Sequence, residues 1–357
     1  MTKPRARDLG IPFEGETGEF NAVTDVSGVT VGSATVIAGK SARTGVTIIH
    51  PRGSKNHTPV YAGLHAFNGN GEMTGAAWVE EGGWLEGPIG ITNTHSVGIV
   101  RDTIIAWHVK NHALHQRWSC PLVAETADGW LNDMNGFHVN KQHVMQALDS
   151  EKNGAVEEGN VGGGTGMLCY EFKGGTGTSS RKLPETLGGW SVGVLVQSNF
   201  GRRHQLTIAG APVGQHLLDH APFTHGENPF KQDDGSLIVI IATDGPLLPH
   251  QLKRLAKRAT IGMARTGSLG GNGSGDIFLA FSTANPGAAH GNEMGLSDIQ
   301  VLSNDHIDPL FSSVAYATEE AIINSMVAAE DMVGHRGVSI KALPHEEVQD
   351  LLRQYNR

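Results

Sequence analysis

Apolar residues recur along this chain in two rhythms, one for strands and one for helices. VTDVSGVTVGSATVI (23–37) and TGVTIIHP (44–51) are rich in β-branched residues and broken by Gly-bearing turns, which predicts two strands. PLVAET (121–126) predicts a short strand ending in polar residues. SVGVLVQSNF (191–200) and HQLTIAG (204–210) predict a strand pair, and the continuous apolar run SLIVIIATDG (236–245) a fully buried strand. Helical spacing runs over 96–112 and 139–148. LPHQLKRLAKRATIGMA (248–264) predicts a helix opened by Pro246 and Pro249, with basic residues towards its C-terminal half. Asp308 caps a helix to about Glu330, and 346–355 closes the chain. Residues 1–20 read as an irregular arm. Residues 52–95, with GLHAFNGNGEMTG at their centre, read as loop with short elements. Residues 159–181 read as a glycine-rich loop around a short apolar core, and 221–235 as a polar loop. Strands and helices mix without a regular βαβ rhythm, which predicts one compact domain of stacked sheets and helices over residues 1–357.

Composition narrows the function. At 39% hydrophobic and 18% charged residues, 357 residues can bury a sizeable core. A net charge of −9 argues against nucleic acid as a partner. Two cysteines, Cys120 and Cys169, are too few for a disulfide framework and predict a reducing, cytoplasmic setting. No apolar run is long enough for a membrane span, and the first residues show no signal peptide. There is no G-x-G-x-x-G and no Walker loop, so no nucleotide cofactor is expected. His108, His112 and His115 fall at helical spacing, but no H-E-x-x-H or Cys–His cluster accompanies them, so no metal is expected.

The densest chemical signal is GGNGSGDIFLAFSTAN (270–285). Ser274 stands between Gly273 and Gly275, directly before an apolar segment. Glycines on both sides free the backbone and leave the Gly273 carbonyl unhindered. A serine hydroxyl needs a base to act as nucleophile. A serine at a new N-terminus would carry its own base, because an α-amine titrates near 8.

Seven segments in chain order resemble the L-aminopeptidase/D-esterase family, which includes the β-peptidyl aminopeptidases: ETADGWLND (125–133), GNVGGGTGM (159–167), VGVLVQSNFG (192–201), LTIAGAPVG (206–214), IIATDGPLLPHQLKRLAKR (240–258), GNGSGDIFLAFSTAN (271–285) and ATEEAIINS (317–325). The resemblance implies a self-processing serine aminopeptidase with a four-layer α/β/β/α sandwich, like N-terminal-nucleophile hydrolases but wired differently. It implies self-cleavage between Gly273 and Ser274, into 1–273 and 274–357, and an acyl-enzyme on Ser274. It further implies short peptides, amino-acid amides or esters as substrates, no cofactor, and a homotetramer of cut units.

The partners that such a nucleophile needs have candidates. Asn199, at a strand end, offers an amide donor for the oxyanion. Glu125 ends the strand 121–126 and can hold a substrate ammonium; Asp128 and Asp133 share its loop. Trp130 can line the pocket, and Tyr170 can turn its hydroxyl to the site. Glu320 shares a helix face with Ser313, Tyr316 and Asn324. With Thr318 it is assigned by the resemblance to the hydrogen-bond network behind the nucleophile. Two other readings stand beside this one: an acyltransferase resembling the ornithine acetyltransferases, which use threonine where this chain has Ser274, and a non-enzymatic ligand-binding protein.

Overall fold

A computed structural model of the chain describes residues 3–220, 222, 235–290 and 293–357. The strands are β1 Thr30–Ala38, β2 Ala42–His50, β3 Val60–Gly69, β4 Trp84–Leu85, β5 Ile89–Asn93, β6 Leu122–Thr126, β7 Leu168–Cys169, β8 Phe172–Lys173, β9 Gly175–Lys182, β10 Ser191–Asn199, β11 Ser236–Thr243, β12 Gly275–Ser282, β13 Met332–Val333 and β14 Ser339–Ile340. The α-helices are α1 Ala76–Gly82, α2 Val97–Lys110, α3 Lys141–Asp149, α4 Val213–His216, α5 Pro249–Ala256, α6 Ala259–Arg265, α7 Asp308–Val327 and α8 His345–Gln354.

Two sheets stack face to face. One has four strands in the order β1-β2-β5-β6, the other six in the order β4-β3-β12-β11-β10-β9. Alternation along each strand sends one set of side chains between the sheets and the other outward. Leu195, Ile238, Ile240, Ile277 and Leu279 meet Ile49, Ile91 and Ala124 in the inter-sheet core. Val194, Val239 and Phe278, one residue along, pack outward beneath α5, α6 and α7. Ile48 and Val123 pack outward from the other sheet against α2 and α3. Three stacked cores define four layers, the α/β/β/α sandwich expected.

Several expectations are corrected. Residues 52–95 hold β3, a ten-residue strand beside β12, whose apolar alternation is masked by neighbouring glycines. Residues 159–181 include β9, which reads as polar (GTGTSSRK) yet is buried except for Lys182. Its glycines let α7 approach: a β-carbon on Gly177 would stand 2.0 Å from the Ala321 carbonyl oxygen. The segment 204–210 forms no strand; β10 pairs instead with β9 and β11. The helix expected over 248–264 is two, α5 and α6. Helix α2 ends at Lys110 and His112 has φ +53°, so the three histidines do not share a helix face. Most of the polar loop expected at 221–235 lies outside the described residues.

Candidate active site

One rung of the six-stranded sheet gathers the chemistry. Asn199 at the end of β10 is the ladder partner of Ser236, the first residue of β11. Ser236 is in turn the partner of Gly275, the first residue of β12. Two-residue alternation from Leu195, Ile238 and Ile277 places Asn199, Ser236 and Gly275 on the inter-sheet face. The Gly275 N–H donates to the Gly235 carbonyl (3.2 Å) and to Ser236 Oγ (3.3 Å). Ser236 Oγ thus accepts a hydrogen bond and has no acceptor for its own proton among the described residues.

Ser274 is placed differently. Its hydroxyl donates to Asp276 Oδ1 at 2.8 Å. The same oxygen accepts from the Leu237 N–H (3.0 Å), and Asp276 Oδ2 accepts from Asn68 Nδ2 (2.9 Å). Ser274 and Asp276 are both buried. The Ser274 N–H donates to the Gly271 carbonyl, closing a tight turn. Asn68 also donates to Gly271 O, and Asn70 Nδ2 donates to the Gly273 carbonyl at 2.7 Å. A hydroxyl bonded to a carboxylate in this way can pass a proton from a neighbour to the acid. Gly275 separates this pair from Ser236 by one strand spacing, about 4.8 Å.

Glu125 ends β6 on the facing sheet and is 3% exposed. Its Oε1 accepts from the Glu72 N–H (2.9 Å), and its Oε2 accepts from the Thr94 hydroxyl. Gly71 lies between it and the serines. A β-carbon on Gly71 would be 3.3 Å from Glu125 Oε1 and 3.3 Å from Gly275 Cα. The structure therefore brings Glu125 to the same end as Ser236 and Ser274. Asn199 joins them: its Oδ1 accepts from the Leu168 N–H and its Nδ2 donates to the Ala127 carbonyl (3.0 Å), in the loop after Glu125. Asp128, in that loop, is fully buried; its Oδ1 accepts from Asn132 Nδ2, and burial pushes its pKa up to about 7.

Other expected residues sit elsewhere. Trp130 packs with Leu131, Leu168, Met332 and Ile340 in a satellite cluster. Tyr170 is fully buried in the helix-side core, its hydroxyl 2.7 Å from Thr266 Oγ1, and so does not open to the site in the intact chain. It and Glu171 have φ of +51° and +61°, forming the two-residue turn between β7 and β8. Two left-handed residues there suit a type I′ hairpin, normally filled by Asn-Gly. Arg203 clamps the turn by donating to both its carbonyls.

Glu320 and Thr318 are far from the serines. Glu320 accepts from Arg7 and Asn21 and pairs with Arg181 at 2.8 Å. Arg181 shares its rung with Val192, Thr243 and Ser282. Ser282 lies eight residues beyond Ser274 on an extended strand, a separation of about 26 Å at ~3.3 Å per residue. Thr318 packs against Gly262, and its buried hydroxyl has no hydrogen-bond partner among the described residues. The expected role of both beside Ser274 is corrected by this register. Helix α7 runs with Ser325, not Glu320, towards the serine end, where Ser325 Oγ meets Ser198 Oγ at 2.9 Å. Glu320 instead anchors the N-terminal arm.

Residues 21–340 match the model of peptidase family S58. The chain belongs to peptidase family S58. A β-peptidyl aminopeptidase of Sphingosinicella microcystinivorans is 50% identical over 99% of this chain and 93% of its own length. Its counterpart in Sphingosinicella xenopeptidilytica is 44% identical over 99% and 92%. The L-aminopeptidase D-Ala-esterase/amidase of Ochrobactrum anthropi, described as a serine aminopeptidase with a variant of the Ntn hydrolase fold, superimposes with a TM-score of 0.92. It is 48% identical, and 99% of each chain is covered. This S58 member is thus a hydrolase whose relatives are aminopeptidases, and the acyltransferase reading is not favoured.

Sequence reasoning missed four residues of this S58 site. In the sequence Ser236 marks only the start of a buried strand, although Gly235-Ser236 before an apolar run repeats the Gly273-Ser274 pattern. Asp276 stands inside GSGD, two residues from Ser274. Asn68 and Asn70 fell in a stretch read as loop, and only the strand β3 brings them beside β12.

Proposed function

We propose that this S58 peptidase is an aminopeptidase that activates itself by cutting its own chain, and that the attacking hydroxyl belongs to Ser236. The observation that carries this is the Asn199–Ser236–Gly275 rung. A nucleophile needs a donor for the oxyanion and a route for its proton. Ser236 has Asn199 as ladder partner on one side and the Ser274–Asp276 pair beyond Gly275 on the other. Ser274, first in line from sequence, has its hydroxyl committed to Asp276 and lies two strands from Asn199. It serves better as the relay that takes the proton of Ser236.

In this reading Ser236 Oγ attacks the Gly235 carbonyl carbon, whose oxygen already accepts from the Gly275 N–H. The C–N bond breaks as the proton moves to the leaving nitrogen, and water hydrolyses the resulting ester. The freed Ser236 α-amine then becomes available as a base near neutral pH. In turnover the same hydroxyl forms the acyl-enzyme, Asn199 donates to the oxyanion, and Glu125 holds the substrate ammonium. The substrates are short peptides, amino-acid amides or esters with a free amine. From the family resemblance we extend this to a homotetramer of cut units, and from the two cysteines to a cytoplasmic setting.

The test is hydrolysis of aminoacyl p-nitroanilides against their N-acetylated forms. Turnover of the free-amine compounds alone, abolished by Ser236→Ala, is expected. Equal turnover of both would overturn the aminopeptidase reading.

A further inference from the structure

Residues 68–72, Asn-Gly-Asn-Gly-Glu, reach both the Ser274–Asp276 pair's surroundings and Glu125. Asn68 holds Asp276, Asn70 holds the Gly273 carbonyl, and the Glu72 N–H holds Glu125 Oε1. Gly71, between them, lies against Gly275: a β-carbon on Gly275 would stand 2.9 Å from Gly71 Cα and 2.5 Å from the Asn70 carbonyl oxygen. The two sheets carry the two halves of the chemistry, and this one turn spans the space between them. No left-handed φ is required of Gly71; what its missing side chain supplies is closeness.

We infer that Gly71 is a specificity-determining residue: it sets the distance from the ammonium-binding Glu125 to the reacting serine, and with it the amine-to-carbonyl spacing of the substrate that is turned over best. The inference rests on the reading of Glu125 as the ammonium site. α- and β-amino acyl groups differ by one carbon between amine and carbonyl, about 1.5 Å of reach. A methyl on Gly71 would press on Glu125 Oε1 and Gly275 Cα alike, from 3.3 Å on each side. Relief of a few tenths of an ångström drives the carboxylate and the serines apart. That direction favours the longer, β-amino spacing.

The experiment compares kcat/KM of wild type and Gly71→Ala for a matched pair of α- and β-amino acyl p-nitroanilides, with p-nitrophenyl acetate as a substrate lacking the ammonium. If a 1 Å misplacement costs about 10²-fold, a shift of about 0.3 Å changes the β-to-α ratio about fourfold. A ratio raised by about that factor is expected, beyond any common change at the serines that p-nitrophenyl acetate turnover reports. An unchanged or lowered ratio in folded, cut Gly71→Ala protein overturns the inference. Glu125→Gln separates this from failure of the underlying reading. If it leaves KM for both amines unchanged, Glu125 is not the ammonium site and both ideas fall. If it raises KM while Gly71→Ala leaves the ratio alone, only the inference falls.

Discussion

Replacing Glu320 with glutamine removes one negative charge and almost no volume, and separates an anchor from a catalyst. The side chain is fully buried. Burial pushes its carboxyl pKa up, but hydrogen bonds and charges from Arg7, Arg181 and Asn21 outweigh that and hold it below the ordinary value. Arg181, 2% exposed, keeps only carbonyl partners, among them Glu14 O and Ser180 O, once the carboxylate is gone. Removing one partner of a buried pair costs about 3–5 kcal/mol, because the other charge stays buried. With an unfolding entropy of about 2.1 cal/mol/K per residue, that lowers Tm by about 4–7 °C for a chain of this size. The pH dependence follows from the depressed pKa. The carboxylate's contribution is present above the ordinary glutamate range and fades as pH falls through the lower folded value, so wild type and Glu320→Gln converge in acid. Thermal melting between pH 3 and 8 checks both statements. Because Glu320 pairs with Arg181, on the rung of Ser282 and not that of Ser274, Glu320→Gln protein held at 25 °C should still cut itself and turn over substrate. A variant that melts like wild type but is uncut or inactive would place Glu320 in the catalytic network and refute the register argument.

Other outcomes follow from the same geometry. Thr318→Val removes a buried hydroxyl without a described partner, so Tm should hold or rise, by up to about 1 kcal/mol of stability; a fall of several degrees would reveal a partner. Asn199→Ala should lower kcat about 10²–10³-fold with a much smaller change in KM, and the reverse pattern in steady-state kinetics would make Asn199 a binding residue. Asp128, raised to about 7 by burial, binds its proton more tightly folded than unfolded. Wild type should therefore lose stability relative to Asp128→Asn as pH rises from about 4 to about 7, and parallel urea titrations across that range would contradict this. Ser274→Ala should fold and cut itself about 10²–10⁴-fold more slowly, the loss expected for a proton relay, whereas Ser236→Ala should stay whole.

The parts of the fold written in strong local patterns were legible. Strands β1, β2 and β11 and helix α2 carry apolar rhythms that neighbours do not contradict. Glu125 and Asn199 can be located on the fold from sequence because each stands at or next to the end of an apolar strand. What stayed hidden depends on contacts distant in sequence. Strand β9 looks polar because its Thr and Ser side chains are satisfied by burial: Thr178 Oγ1 donates to Val194 O, and Ser179 Oγ donates to Ala317 O. Glu320 reads from sequence as part of a polar helix face behind the nucleophile. Its partners Arg7 and Arg181 come from segments more than 130 residues away. Ser236 and Ser274 have the same local signature. Only the parallel pairing of β11 with β12 sets them side by side and gives them different partners. The sequence alone does not distinguish the two Gly–Ser bonds as candidates for the proposed cut.

Where the chain is cut is read from the mass of the denatured, purified protein together with the N-terminal sequence of its smaller piece. Prorating 37.9 kDa by length, a cut at Gly235–Ser236 gives pieces of about 25 and 13 kDa, the smaller beginning Ser-Leu-Ile-Val. That is the predicted result. Pieces of about 29 and 9 kDa, the smaller beginning Ser-Gly-Asp-Ile, would return the nucleophile to Ser274. A chain that stays whole while hydrolysing aminoacyl amides would contradict self-activation altogether.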